Sequence, residues 1–245
     1  MTALANKIIT LARSQLLTKE NPPGSNNVKY NTAYYGRAVN GADYPWCCVF
    51  IWWLFQQVDA AKLFFNGSHT ASCGALANYA KVQKLWIDKD FEPGDLAFMR
   101  FTHNYIEHIG LVIGVRADGS LLTIEGNTGK GNDANGGQVQ QRVRKLTCVV
   151  GGYRPRYSDM EEDNMAQIIE QIAKNVGISN DEAVKRLTVL IQNQDTKLDD
   201  YQVKGVQWLK DNGLIWVARS GLAQVNWGDF GVILQRLHDK LKTSK

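Results

Sequence analysis

The stretch from Pro45 to Phe55 reads PWCCVFIWWLF and contains no charged residue. Extended to Val58, it is long for a buried strand and suits about three turns of helix. A helix that is apolar on every side has to lie in the interior of a fold. We therefore predict a central, buried helix over residues 46–58, with Cys47 in its first turn.

The segments on either side of this helix change from helical to strand periodicity. Apolar spacing over residues 3–17 predicts a first helix, and Ser72 is a candidate cap for a helix over 73–84. After the turn at residues 92–95, the alternation has period two. This pattern predicts strands at 95–101, 108–115, 120–126 and 138–153. Helices followed by a run of antiparallel strands are typical of the α+β class.

The back of the chain is predicted to be a separate, small all-α domain. Residues 158–164 read SDMEEDN, and this acidic segment is expected to be a linker between domains at 1–157 and 165–245. From Asp159 on, 11 basic and 13 acidic residues give a net charge of −2, which leaves +6 for the rest of a chain with total charge +4. Apolar stripes predict helices at 165–176, 181–193, 199–211 and 229–242. Such stripes suit either an internal core or a partner face.

Composition excludes some functional classes. The longest apolar run is too short to span a bilayer, which takes roughly 20 residues. The first 17 residues lack the features of a signal peptide. We therefore expect synthesis in the cytoplasm, no membrane insertion, and action elsewhere only after release. The basic excess is small and unclustered, so we expect no nucleic-acid partner.

The cysteines suggest thiol chemistry. Of Cys47, Cys48, Cys73 and Cys148, we expect reduced thiols rather than two disulfides, because nothing indicates an oxidising compartment. A thiol attacks as a thiolate, which the unpaired N–H groups of a first helical turn favour. Cys47 has that position, and Cys48 lies about 100° further round the helix. The alternative is that both are small core residues.

A catalytic thiol needs a base, and His108 is the candidate. It begins the predicted strand HIGLVIGV, on the same face as Gly110, which should leave room for a substrate chain. The next strand offers Glu125 and Asn127, whose spacing of two puts them on one face. A carboxylate or an amide there can orient the base. The alternative is that the two residues have no catalytic role and lie where an ordinary strand ends.

Seven stretches in succession resemble landmarks of the CHAP family, the cysteine, histidine-dependent amidohydrolases/peptidases. They cover about residues 1–157 and read NPPGSNNVKYNTAYYG, YPWCCVFIWWLF, TASCGALANYAK, PGDLAFM, HIGLVIGV, TIEGNTG and GGYRPRY. The resemblance implies a papain-like α+β fold and cleavage of amide bonds in bacterial peptidoglycan. It also implies Cys47 as nucleophile and His108 as base, with Glu125 and Asn127 as orienting residues.

The same resemblance implies an endolysin-like role and a structural role for Cys73. The NPPGSN and YPWC pieces look closer to amidases, so we expect an N-acetylmuramoyl-L-alanine amidase. An endopeptidase and a non-catalytic wall-binding protein are the alternatives. Some family members bind calcium through an Asp-rich loop before the nucleophile, whereas residues 29–46 offer only Asp43. We therefore expect no metal and no cofactor.

Polar and aromatic residues before Cys47 are candidates for substrate contacts. Tyr35 and Tyr44 are expected to line the groove, although core or rim packing is the commoner role of such side chains. An oxyanion would lie near the Cys47 backbone N–H, and Asn40 or Tyr44 is the candidate second donor.

Residues 200–241 loosely resemble one S-layer-homology repeat. Trp208, Trp216 and Trp227 are the candidate wall-binding residues, and bacterial peptidoglycan is the expected partner. Because one repeat offers little surface, we expect homo-oligomerisation through this domain to supply several copies. A plain helical packing or dimerisation module is the alternative.

Overall fold

The computed structural model describes residues 1–192, and the chain divides into two compact units between Tyr157 and Ser158. The helices predicted at 199–211 and 229–242 lie outside the described residues. So do the three candidate wall-binding residues Trp208, Trp216 and Trp227.

The helices of the first unit precede its sheet. They are α1 (Ala3–Ser14), α2 (Lys29–Tyr35), α3 (Cys47–Gln57) and α4 (Cys73–Val82). Thr2 and Ser72 cap α1 and α4 by accepting hydrogen bonds from backbone N–H groups three residues on. The sequence predicted α1, α3 and α4 but not α2, because seven residues are too few to show a helical period.

The prediction of a buried central helix is confirmed for α3. Seven of its eleven side chains are buried, and so is Trp46, which precedes it. Burying each large apolar side chain contributes about 1.5–3 kcal/mol. The indole of Trp46 donates from Nε1 to Glu20 Oε1 at 2.8 Å, which satisfies its polar atom inside the core. The helix packs against two strands of the sheet.

The sheet is antiparallel throughout and has the order β1-β6-β2-β3-β4-β5. Its strands are β1 (Trp86–Ile87), β2 (Leu96–Met99), β3 (His108–Val115), β4 (Leu121–Thr128), β5 (Gln138–Arg144) and β6 (Val149–Tyr153). The predicted α+β class is confirmed. The single strand predicted at 138–153 is wrong, because β5 lies at one edge and β6 pairs with β1 and β2. A short 3-10 turn at Leu146–Cys148 separates the two strands.

The described part of the second unit consists of two helices. They are α5 (Tyr157–Val176), whose first residue belongs to the first unit, and α6 (Asn180–Gln192). The segment 158–164, predicted as a linker, lies within the first half of α5. That segment contains no Pro or Gly, and Asp159 in the first turn suits the positive end of the helix dipole.

The apolar stripes of α5 and α6 pack on each other. The buried cluster contains Met165, Ile169, Ile172, Ala173, Ala183, Val184 and Leu187. These side chains therefore form an internal core, which is one of the two roles that the apolar stripes suit. None of the described helices combines the length and the apolar character that crossing a membrane requires.

Candidate active site

Cys47 lies at the start of α3 and faces a cavity of about 540 Å³. Trp46 precedes it without a side-chain cap, so the backbone N–H groups of the first turn stay available for an incoming oxygen. Cys48 points elsewhere, because its thiol donates to the Thr70 carbonyl at 3.4 Å. Cys47 lines the cavity and Cys48 does not.

His108 and Glu125 form a buried pair beside this thiol. His108 Nε2 and Glu125 Oε2 are 3.0 Å apart, and both side chains are fully buried. His108 Nδ1 is also buried and has no hydrogen-bond partner of normal geometry. Because Glu125 occupies Nε2, Nδ1 is the ring atom left to exchange a proton with Cys47, whose side chain interacts with His108.

Strand register explains why His108 and Glu125 meet. Leu111 of β3 pairs with Ile124 of β4, which sets Gly110 opposite Glu125 and His108 two residues further along the same face. A Cβ at Gly110 would lie 2.8 Å from Glu125 Cγ. The room predicted beside Gly110 for a substrate is therefore filled by the Glu125 side chain.

Arg144 is a site residue that sequence reasoning missed. It donates from Nε to Glu125 Oε1 at 2.8 Å and from Nη2 to Glu125 Oε2 at 2.5 Å. Its remaining nitrogen, Nη1, donates to Asp133 Oδ1 at 2.7 Å. Arg144 shares one face of β5 with Gln140 and Arg142, and such a polar face resembles a solvent-facing one. The sequence therefore carried no signal that this face turns inward.

The charges of these groups follow from their contacts. Burial alone would raise the pKa of Glu125, but hydrogen bonds from Arg144 and His108 lower it to about 2. Burial alone would lower the pKa of His108, yet hydrogen bonds with Cys47 and Glu125 raise it to about 9. At neutral pH the pair is thus an imidazolium beside a carboxylate.

The Cys47 thiol is under two opposing influences. Its hydrogen bond with Cys73, together with burial, raises the pKa of Cys47 well above its usual range. The hydrogen bond with His108 acts in the opposite direction. The thiolate therefore depends on His108, and a variant without the imidazolium should retain a neutral, unreactive thiol.

The orienting role predicted for Asn127 stays a prediction, and its side-chain oxygen binds in the loop that follows β4. The register of β4 against β5 shifts between Glu125 and Thr128, and Asn127 takes a left-handed conformation with φ of 56°. Its side-chain oxygen accepts from the Gly137 N–H at 3.2 Å, and its Nδ2 is buried without a partner. The prediction assumed unbroken alternation along β4, and a bulge interrupts that alternation. Through its hydrogen bond with Gly137, Asn127 holds the following loop.

The predicted substrate-binding residues lie outside the cavity lining. Tyr35 and Tyr44 pack edge to face with ring centroids 5.1 Å apart, and Asn40 is exposed. The lining comes from Pro45, Cys47, residues 71–74 and 103–107, and Ala134. Residues 103–107 form a loop without periodicity, so no pattern in the sequence indicated that they line the cavity.

The loop at 101–107 owes its shape to Glu107. The Glu107 carboxylate accepts hydrogen bonds from the backbone N–H groups of Phe101, Thr102 and His103. His103 Nδ1 also lies 2.9 Å from Glu107 Oε2. Burial alone would raise the pKa of Glu107, but these contacts lower it to about 2. The loop therefore presents one wall of the cavity in a fixed conformation.

Within the described residues, no group of three or more His, Cys, Asp and Glu side chains is placed to hold a metal ion. The expectation that no metal or cofactor takes part stays a prediction.

Comparison with known families bears on this arrangement. Residues 39–127 match the family model described as "CHAP domain". This chain contains a CHAP domain. The matched segment includes Cys47, His108 and Glu125.

One solved structure to which the chain is similar is described as "The crystal structure of Ly7917". Identity is 15%, the match covers 62% of this chain and 62% of the other, and the TM-score is 0.37. The chain thus spans less than two thirds of the length of that structure. No curated protein matches the chain.

Proposed function

We propose that this chain cleaves an amide bond of bacterial peptidoglycan by a thiol mechanism, with Cys47 as nucleophile and His108 as general acid and base. One observation carries the proposal: His108 lies between the cavity-facing thiol of Cys47 and the buried carboxylate of Glu125. Acyl-transfer enzymes repeatedly use this arrangement, in which the base contacts the nucleophile on one side and an orienting group on the other.

The first half of the reaction forms a thioester. The Cys47 thiolate attacks the carbonyl carbon of the scissile amide, and the oxyanion that forms lies at the N-terminus of α3. The backbone N–H of Cys47 is the first donor for that oxyanion. The His108 imidazolium then gives a proton to the leaving nitrogen, the C–N bond breaks, and the amine departs.

The second half releases the acyl group. His108, now neutral, accepts a proton from water, and the hydroxide attacks the thioester carbonyl. The C–S bond breaks, a carboxylate product leaves, and the thiolate–imidazolium pair returns. Glu125 keeps the imidazole in one orientation through Nε2 and stabilises its charged form in both halves.

A digest of purified peptidoglycan tests the reaction class. An amide hydrolase releases new amino groups and leaves the number of reducing sugars unchanged, whereas a glycosidase does the opposite. His108→Ala is the matched control, because it removes the base and leaves α3 intact. New reducing sugars, or equal release by wild type and His108→Ala, would refute the proposal.

The amide that we propose is the one between N-acetylmuramic acid and L-alanine. Its support is the resemblance of the NPPGSN and YPWC stretches to amidases. Mass spectrometry of the fragments should show free L-alanine N-termini. New amines on a cross-bridge or elsewhere in the stem peptide would instead identify an endopeptidase.

We propose further that residues 158–245 deliver an endolysin-like enzyme to the wall, by homo-oligomerising and by contacts of Trp208, Trp216 and Trp227. The support is the loose S-layer-homology resemblance and the net charge of −2 in this part, which favours contact other than ionic attraction to an anionic wall. Pull-down by purified walls, with the full chain compared with the triple Trp→Ala variant, tests binding. Equal retention of the two proteins would contradict it.

A further inference from the structure

Cys73 lies beside Cys47 in the lining of the cavity. It is the first residue of α4 and lines the same cavity. The two sulfur atoms are 3.6 Å apart, and both are free thiols. A disulfide bond measures about 2 Å, so the sulfurs need to approach by roughly 1.5 Å.

The cavity gives small oxidants access to this pair. Cys47 and Cys73 are 4% and 6% exposed, and that exposure is into the cavity that both line. Oxidation selects the thiol that ionises beside a positive group. For Cys47 that group is the His108 imidazolium, which opposes the hydrogen bond with Cys73 and the burial that together raise the pKa of Cys47.

The other two thiols have different surroundings. Cys48 donates to the Thr70 carbonyl and does not line the cavity. It also interacts with Cys73, which makes it a competitor for that sulfur. Cys148 donates to the Lys145 carbonyl at 3.1 Å and precedes β6 at the far end of β5.

We propose that hydrogen peroxide converts Cys47 and Cys73 into a reversible disulfide that blocks the cavity. The inference rests on the proposed function, in which Cys47 is the nucleophile. The bond removes the attacking thiolate and places a second sulfur where the substrate carbonyl has to lie. It also shields Cys47 from irreversible oxidation to the sulfinic acid.

The chemistry takes two steps. The Cys47 thiolate attacks one peroxide oxygen, the O–O bond breaks, and hydroxide leaves, so that Cys47 becomes a sulfenic acid. Cys73 then loses its thiol proton and its sulfur attacks the Cys47 sulfur, the S–S bond forms, the S–O bond breaks, and a second hydroxide leaves. The two thiol protons convert both hydroxides to water, so two electrons pass from the thiols to the peroxide.

Peptide mapping of the peroxide-treated full chain tests this directly. The remaining thiols are alkylated without a reductant, and the protein is digested and analysed by mass spectrometry. We expect a linked peptide pair containing Cys47 and Cys73, and an intact protein lighter by two hydrogen atoms. Hydrolysis of peptidoglycan should be lost on treatment and return with dithiothreitol.

Two variants separate this switch from general oxidation. Cys148→Ser should behave as wild type in both mapping and recovery. Cys73→Ser should lose its activity under excess peroxide without recovery, because Cys47 then proceeds to the sulfinic acid.

A linked pair that contains Cys48 or Cys148 in place of Cys47, or sulfinic Cys47 with no linked pair in wild type, would overturn the proposal. A Cys47–Cys73 bond in a protein that never hydrolysed peptidoglycan would refute the proposed function and leave the disulfide established.

Discussion

Arg144 binds both carboxylate oxygens of Glu125 from one side, while His108 contacts Oε2 from another. A planar guanidinium that binds a carboxylate in this two-point manner fixes its orientation as well as its charge. Glu125 on β4 therefore orients the His108 ring, and Arg144 on β5 orients Glu125. Arg144 is a positioning residue, since it acts on the base through Glu125.

Arg144→Lys should lower kcat on peptidoglycan by roughly 10- to 100-fold, because a lysine cannot reproduce the two-point contact and a shift of about 1 Å in a catalytic group is costly. KM should change little, since Arg144 does not line the cavity. Arg142→Lys is the matched control, because Arg142 contacts Asp133 and Gln140. Equal losses in both variants would show that Arg144 has only a general structural role.

Glu125→Gln should lower the pKa of His108 from about 9, because the carboxylate contributes to raising it. The imidazolium is present below the pKa of His108, so the alkaline limit of activity should move to lower pH. Activity at neutral pH should also fall by roughly 100-fold or more. Histidine NMR titration against a His108→Gln reference checks the shift. An unchanged His108 titration would contradict the assignment.

Gly110→Ala should disturb Glu125 directly, because the new Cβ would lie 2.8 Å from Glu125 Cγ and 3.2 Å from Thr123 Cβ. Such overpacking costs about 1–3 kcal/mol of stability, and activity should fall with it. Gly114→Ala on the same strand is the control, because its Cβ would meet only Leu122 Cβ at 4.0 Å. Thermal unfolding and turnover of the two variants should differ, and equal behaviour would disprove the packing argument.

Glu107→Gln should destabilise the protein in a pH-dependent way. The pKa of Glu107 lies near 2 in the folded chain, below its ordinary value of 4.5. Its stabilising effect is therefore full above about pH 4.5 and declines as the pH falls towards 2. The difference in melting temperature between wild type and Glu107→Gln should shrink with acidity. Glu92→Gln, at an exposed carboxylate, should differ little in melting temperature from wild type. A melting-temperature difference for Glu107→Gln that stays constant with pH would contradict the role of Glu107 in holding the loop at 101–107.

The sequence predicted the parts of the site that local pattern controls. An uncharged stretch long enough for three helical turns requires a central helix, which places Cys47 at its start. Alternation on two neighbouring strands brings His108 and Glu125 to one face. These features depend on residues close together in the chain, where hydrophobic period is informative.

The features that the sequence did not predict depend on pairing between distant segments. Arg144 turns inward because β5 pairs with β4, and nothing within β5 marks that face as buried. Asn127 leaves the strand face because of a bulge that alternation cannot reveal. The cavity walls at 71–74, where α4 begins, and at 103–107, in a loop, are brought to Cys47 only by the tertiary fold.

The most direct test of the account compares Cys47→Ser with Cys48→Ser in the release of amino groups from purified peptidoglycan. The two residues are adjacent and both buried, so the variants are matched in chemistry and in expected stability. Cys47→Ser should lose at least about 1,000-fold in rate, and Cys48→Ser should keep most of it, because its sulfur points to Thr70. Loss in Cys48→Ser with retention in Cys47→Ser would contradict the central claim.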